Sequence, residues 1–478
     1  MKRAIPSTRL ARRPYWLLVI LAGMLLWQST AATAALVAAG IVGLTLQASL
    51  EARWRRLAAR APAPSDGVVL GIDSGGERVV LTDSQLSAHG LILGAAGAGK
   101  STTLLAILSD RIARGGSVVA IDMKGSPQLA GALRDAAVAA GRPFQLWTLD
   151  GPGRWNPLEH GNATELKDKL IATERFSEPH YQRAAERYLQ TALQVLERAR
   201  PGRSPTLEDV VSALDPRRIA RMLRGPRDPF TERVQDYLQS LGPDQLSAVH
   251  GLATRLSLLS ESHVGPYLTG GDGAIDLRRA LAGPEVVLFS LNSSSYGRLS
   301  AQVGTLVVQD LVAAAGDRLA RGVPGQAIIG IDEFSALDSD NVVALLARGR
   351  ESGVPVLLAT QEFADLERAG RGVRDQVAGV TAVKIAHRQD VPASARMVAE
   401  MVGTRRVWES TIGLQRHPLF GTRPSGHATQ RQVERFIIDP NEIKSLPTGH
   451  AVVITKVPEA RARTVRVVPA PRDRGLER

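Results

Sequence analysis

Gly94-Ala95-Ala96-Gly97-Ala98-Gly99-Lys100-Ser101 stands directly between the apolar run Gly90-Leu91-Ile92-Leu93 and the apolar-rich stretch from Thr102 to Leu108. Strand, glycine loop and helix in that order commit this part of the chain to an α/β unit. Glycines let successive backbone N–H groups turn inward toward phosphate oxygens, and the positive end of the helix dipole adds to them. In this pattern the residues from Gly94 through Thr102 form the cradle. Lys100 reaches the β- and γ-phosphates, and the Ser101 hydroxyl holds Mg²⁺. The expectation is a binding site for ATP with Mg²⁺.

A second motif lies far downstream. Ala327-Ile328-Ile329-Gly330-Ile331-Asp332-Glu333 reads as a buried parallel strand closed by two carboxylates. Acids that end such a strand sit at the carboxyl edge of the sheet, where open α/β folds bind ligands. Asp332 is the expected partner of Mg²⁺, and Glu333 the group that polarises the attacking water.

Between these motifs the character of the chain changes twice. Residues 67–164 alternate strand and helix patterns, including Gly116-Ser117-Val118-Val119-Ala120-Ile121-Asp122 as a second buried strand ending in an acid. Residues 165–268 lose all strand signals and carry helix patterns with capping residues, such as Thr206 before 207–214. Residues 269–456 return to strands, at 285–291, 327–331, 354–359 and 380–386, with a long apolar helix over 300–321. The stretch 405–431 reads as irregular, and residues 457–478 as a basic tail, either disordered or touching anionic lipid. The organisation is thus a nucleotide-binding domain in two parts with an all-α domain inserted between them.

Charge is unevenly placed. The formal net charge is +12, but residues 1–60 hold nine basic side chains and one acid, and residues 456–478 hold seven and three. Residues 61–455 are balanced, so the overall charge is no sign of a basic motor body. Residues 14–50 contain no charged side chain and divide near Gln28 into 14–27 and 31–50. Basic residues flank both ends, in 1–13 and again in the linker 51–66. Both ends therefore face the cytoplasm, and the segment reads as two transmembrane helices in a hairpin rather than a cleaved export signal or a single span. The chain has no cysteine, which excludes disulfides and thiolate metal sites.

Further motifs carry a family resemblance. Asp332-Glu333-Phe334-Ser335-Ala336-Leu337 is followed by Gly349-Arg350-Glu351-Ser352-Gly353 and by a strand ending Thr360-Gln361. Ile121-Asp122-Met123-Lys124-Gly125, Trp155-Asn156-Pro157-Leu158 and Pro440-Asn441-Glu442-Ile443 accompany them. Together they resemble the TraD/TraG-like coupling proteins of type IV secretion, conjugation motors of the FtsK–HerA superfamily. The resemblance implies an α/β RecA-like P-loop NTPase motor with an inserted all-α domain and an N-terminal transmembrane helical hairpin. It also implies a homohexamer at the bacterial inner membrane, with ATP sites between subunits and DNA in the central channel. The relaxosome and the secretion channel are the implied partners. Carried onto this chain, Arg350 becomes an arginine finger for a neighbour's site, with Arg348 equally near in sequence, and Gln361 a sensor of the γ-phosphate.

The sequence leaves other readings open: a related motor moving protein cargo, and a membrane-tethered platform that recruits substrate. For DNA without sequence preference, the densest basic cluster is Arg405, Arg406, Arg416, Arg423 and Arg431, opposed by Glu409. Lys124 is a second candidate, or else an ion-pair partner of Asp122.

Overall fold

The computed structural model describes residues 66–470 except 175, 177, 224–227, 324, 371 and 418–420, together with a few helical residues between 38 and 46. Side chains of 368, 369 and 412–428 also lie outside the description. The paired spans expected over 14–50 fall almost entirely outside the described residues. Among the described residues, one helix is long and apolar enough to cross a membrane, Ser293–Arg321. It is a core helix: Val303, Leu306, Val307 and Leu311 are fully buried.

The frame is an eleven-stranded sheet. Its strands are β1 (Gly67–Asp73), β2 (Arg78–Thr82), β3 (Gly90–Leu93), β4 (Ser117–Asp122), β5 (Phe144–Thr148), β6 (Val286–Ser290), β7 (Ala327–Asp332), β8 (Val356–Thr360), β9 (Val383–Ala386), β12 (His450–Thr455) and β13 (Arg461–Val467). The intervening β10 (Thr404–His417) and β11 (Gly421–Phe436) form a separate two-stranded ribbon. Across the sheet the order is β2-β1-β13-β12-β9-β3-β8-β7-β4-β6-β5, parallel from β9 to β5 and antiparallel beyond β9. The parallel strands are apolar without interruption because both faces are covered. Leu91, Val119, Ile329 and Leu358 enter the core on one face; Ile92, Val118, Ile328 and Leu357 enter the core on the other.

The second face is covered by the Lys100–Ala113 and Pro127–Ala139 helices, through Leu104, Ile107, Leu108, Leu129 and Leu133. The first face carries the core that runs on into the inserted helices. These extend from Ala163–Ile171 to Pro243–Ser260, with Tyr188, Leu189, Leu193 and Leu252 buried in the same cluster. The polar hub of this junction is Asp310. It accepts from Lys169 Nζ at 2.7 Å and from Trp155 Nε1 at 3.0 Å, while Lys169 also donates to the Pro157 and His160 carbonyls. The Trp155-Asn156-Pro157-Leu158 motif thus sits where the inserted helices meet the sheet.

Two stretches depart from the sequence reading. The segment 405–431 is not irregular but falls in the antiparallel β10–β11 pair, with a shift of register between Ile412 and Leu414. None of its described side chains, at 405–411 and 429–431, is buried, so these stretches lack the alternation that marks a half-buried strand. Arg461–Val467, expected within a loose tail, is β13, wedged between β12 and β1. Val465 and Val467 are buried while Arg461 and Arg466 are exposed and Arg463 is half-buried, and the charge concealed the strand.

Candidate nucleotide site

Strand order gathers the site. β3, β8, β7 and β4 are adjacent and parallel, so the residues that follow each of them meet at one edge of the sheet. β3 delivers the glycine loop, β8 delivers Gln361, β7 delivers Asp332 and Glu333, and β4 delivers Asp122 and Lys124. This is the edge where a parallel sheet leaves a crevice.

The loop is held from behind by backbone bonds. Gly94 N–H donates to Gln361 O at 3.1 Å, Ala95 N–H to Arg388 O at 2.9 Å, and Ala98 O accepts from Gly449 N–H at 3.0 Å. Gly99, at φ +120°, begins the Lys100–Ala113 helix with no side-chain cap. The first N–H groups of that helix are therefore free to meet an anion. Lys100 is buried and donates to Gly94 O at 2.6 Å and Ala95 O at 3.4 Å. Burial pushes its ammonium below the ordinary lysine range, opposed by the Glu333 carboxylate and reinforced by Lys124.

Ser101 Oγ donates to Asp332 Oδ2 at 2.7 Å. Asp332 Oδ1 is buried and has no hydrogen-bond partner. An orphaned carboxylate oxygen beside a hydroxyl is a donor set suited to a hard divalent cation. Among the described residues no group of three His, Cys, Asp or Glu forms an all-protein metal cage.

Glu333 is held in the left-handed region at φ +55°, which costs a non-glycine residue about 1 kcal/mol or more and is found at sites where the surroundings enforce it. Its Oε1 meets Lys124 Nζ at 2.5 Å, accepts from Gln361 Nε2 at 3.2 Å and lies 3.9 Å from Lys100 Nζ. Lys124 is therefore not the ion-pair partner of Asp122. Asp122 instead accepts the backbone N–H groups of Lys124 at 2.9 Å and Ser126 at 2.5 Å, and burial raises its pKa.

The sequence reading missed His387, which follows β9 and is fully buried. Its Nδ1–H donates to His450 O at 2.9 Å, so Nε2 accepts from Thr103 Oγ1 at 2.8 Å. A methyl group on Gly94 would meet His387 Cβ at 2.6 Å, so the histidine is the wall behind the loop. The available signal was positional: like Asp332 and Gln361, it is a polar residue closing a buried parallel strand.

Arg350 is not in this cluster. It is exposed at the end of the Ser339–Glu351 helix, close to His89 at the amino edge of β3. Arg348 pairs with Glu351 at 2.9 Å, whereas Arg350 has no ion pair among the described residues.

Residues 328–448 match the family described as the TraM recognition site of TraD and TraG. The bacterial conjugative coupling protein TrwB in an unbound form gives a TM-score of 0.61 at 14% identity, covering 88% of this chain and 92% of that one. The chain is similar to type IV secretion coupling proteins. TrwB in complex with a non-hydrolysable ATP analogue gives 0.58 at 16% identity, over 86% of this chain and 96% of TrwB. VirB4 of Thermoanaerobacter pseudethanolicus gives 0.55 at 14%, over 86% and 99%. No curated protein matches. At these identities the solved structures establish the coupling-protein fold, and the family match spans β7, β8, Arg350 and the ribbon.

Proposed function

We propose that the protein is a membrane-anchored, hexameric ATP hydrolase that moves DNA, coupling a conjugation substrate to a type IV secretion channel. One observation carries the reading: Lys100, Ser101, Asp332, Glu333 and Gln361 converge on one sheet edge, with Asp332 Oδ1 buried and unpartnered. TrwB has been seen with ADP and Mg²⁺ on the same fold, which supports that nucleotide here.

In this reading the loop N–H groups and Lys100 bind the triphosphate, Lys100 giving up its bonds to Gly94 O and Ala95 O. Ser101 and Asp332 hold Mg²⁺, which when bound neutralises charge developing on the transferred phosphoryl group. Glu333 Oε2 takes the proton of the attacking water, while Lys124 and Gln361 fix the orientation of its carboxylate. Gln361 couples the γ-phosphate position to Glu333 and, through its carbonyl, to Gly94. Arg350 serves the site of a neighbouring subunit. Residues 14–50 anchor the motor in the inner membrane, and the relaxosome and channel components are its partners.

The test is hydrolysis by the full chain with and without DNA. Glu333→Gln should still bind ATP and lose turnover by about a thousandfold. Lys100→Ala should lose nucleotide binding. DNA should stimulate the wild type. Unchanged hydrolysis in Glu333→Gln removes Glu333 from its role, and hydrolysis indifferent to DNA favours protein cargo or recruitment.

A further inference from the structure

The β10–β11 ribbon pairs in one register from Thr404↔Phe436 to Ile412↔Ala428, and after a shift resumes from Leu414↔Pro424 to His417↔Gly421. At about 3.3 Å per residue it is roughly 45 Å long. None of its described side chains, over 404–411 and 429–436, is buried. An isolated strand pair is marginally stable by itself, and burial does not explain the charge of these described stretches. Within 404–436 there are six arginines, two glutamates and neither lysine nor aspartate, inside a segment of the chain that is otherwise balanced.

The register sorts these charges, because residues directly opposite each other share a face. One face carries Arg405↔Arg435, Val407↔Val433, Glu409↔Arg431 and Thr411↔Thr429. The other carries Arg406↔Glu434, Trp408↔Gln432 and Ser410↔Gln430, and its one charge pair is neutral at 3.8 Å. On the first face three arginines share a single carboxylate: Glu409 accepts from Arg431 at 3.4 Å and from Arg435. Arg405 and Arg435 stand opposite each other. Like charges so placed destabilise a ribbon until an anion lies across them.

We propose that this ribbon is a nucleic-acid-binding arm whose Arg405, Arg431 and Arg435 face lies along the phosphate backbone. The inference rests on the DNA reading of the motor and names the element that holds the polymer. A regular polyanion satisfies a row of arginines as a single acidic side chain cannot. Thr411 and Thr429 add hydroxyl donors of the kind that contact phosphate. A two-stranded ribbon is also of the width that the major groove admits. The ribbon is rooted at Gly403, next to Met401, whose carbonyl accepts from Lys456 at the amino edge of β9. Gly67, where the preceding chain joins the sheet, lies at the opposite edge, which disfavours a lipid surface as the anion.

The experiment measures binding of the full chain to a short fluorescent duplex and its single strand across a salt series. The triple variant Arg405→Gln, Arg431→Gln, Arg435→Gln should bind about tenfold or more weakly, with its log–log salt slope reduced by about three. Glu409→Gln should bind more tightly, because it frees two arginines. Binding of a fluorescent ATP analogue reports that each variant is folded. Equal affinity and slope in wild type and triple variant overturn the proposal. So does a triple variant that instead loses binding to phosphatidylserine vesicles or changes its assembly size, or a loss confined to Trp408→Ala. A wild type that binds no nucleic acid fails the motor reading itself.

Discussion

His387 shows how one side chain ties the phosphate loop to the pH of the medium. It is enclosed by the loop, Thr103 and the His450 carbonyl, with one ring nitrogen donating and the other accepting. That pattern requires the neutral ring, and burial pushes its pKa down to about 4 from 6.5. Between those two values the unfolded chain binds the proton and the folded chain does not. Its contribution is therefore fully present above about pH 6.5 and is lost as the pH falls toward 4. The size is on the order of 3 kcal/mol. His89 behaves alike, buried at the amino edge with Nε2 donating to Leu346 O and Nδ1 accepting from Val356 N–H, and its pKa is also pushed to about 4. Urea unfolding across this pH window should show a steep loss of stability. In His387→Gln part of that slope should vanish, while an unchanged slope would mean that His387 does not titrate with unfolding.

At the scale of elements, the joint between the inserted helices and the sheet depends on a buried charge pair. Lys169 comes from the Ala163–Ile171 helix and Asp310 from the middle of the Ser293–Arg321 helix, and both are nearly inaccessible. Removing one partner strands the other, which costs about 3–5 kcal/mol. Asp310→Leu should therefore lower stability by that amount and also free Trp155 Nε1. The double variant Lys169→Met, Asp310→Leu should recover most of the loss, as a double-mutant cycle in urea would read; additive losses would show the pair does not act as a unit. The joint was legible in the sequence only as the Trp155-Asn156-Pro157-Leu158 motif. The strand ends at Asp332 and Gln361 were legible because buried parallel strands are unbroken apolar runs, and the polar residue that closes each marks the edge. The ribbon and β13 were not, because alternating arginines look like solvent-facing chain whether the apolar partners are buried, as at Val465, or not, as at Val407.

At the scale of the whole molecule, the sheet separates Arg350 from its own phosphate loop. The loop follows the carboxyl end of β3, while Arg350 lies by His89 at the amino end. Within one subunit the two ends of a buried strand cannot meet. A role for Arg350 in hydrolysis therefore requires a second copy that presents its amino edge to the first copy's crevice, a heterologous contact that closes into a ring. Arg348 is the weaker candidate because Glu351 already holds it at 2.9 Å. Arg350→Ala should bind ATP and hydrolyse it about a thousandfold more slowly. Glu333→Gln should be equally inactive, for a defect in the other half of the interface. In an equal mixture of the two, about a quarter of the interfaces would join an intact Glu333 to an intact Arg350. Hydrolysis should then rise well above either variant alone, and vary with mixing ratio as the product of the two fractions. Arg348→Ala in place of Arg350→Ala should stay active unmixed. Mixtures no more active than their components would return Arg350 to an ordinary surface cation and leave the subunit contact to be sought on another edge.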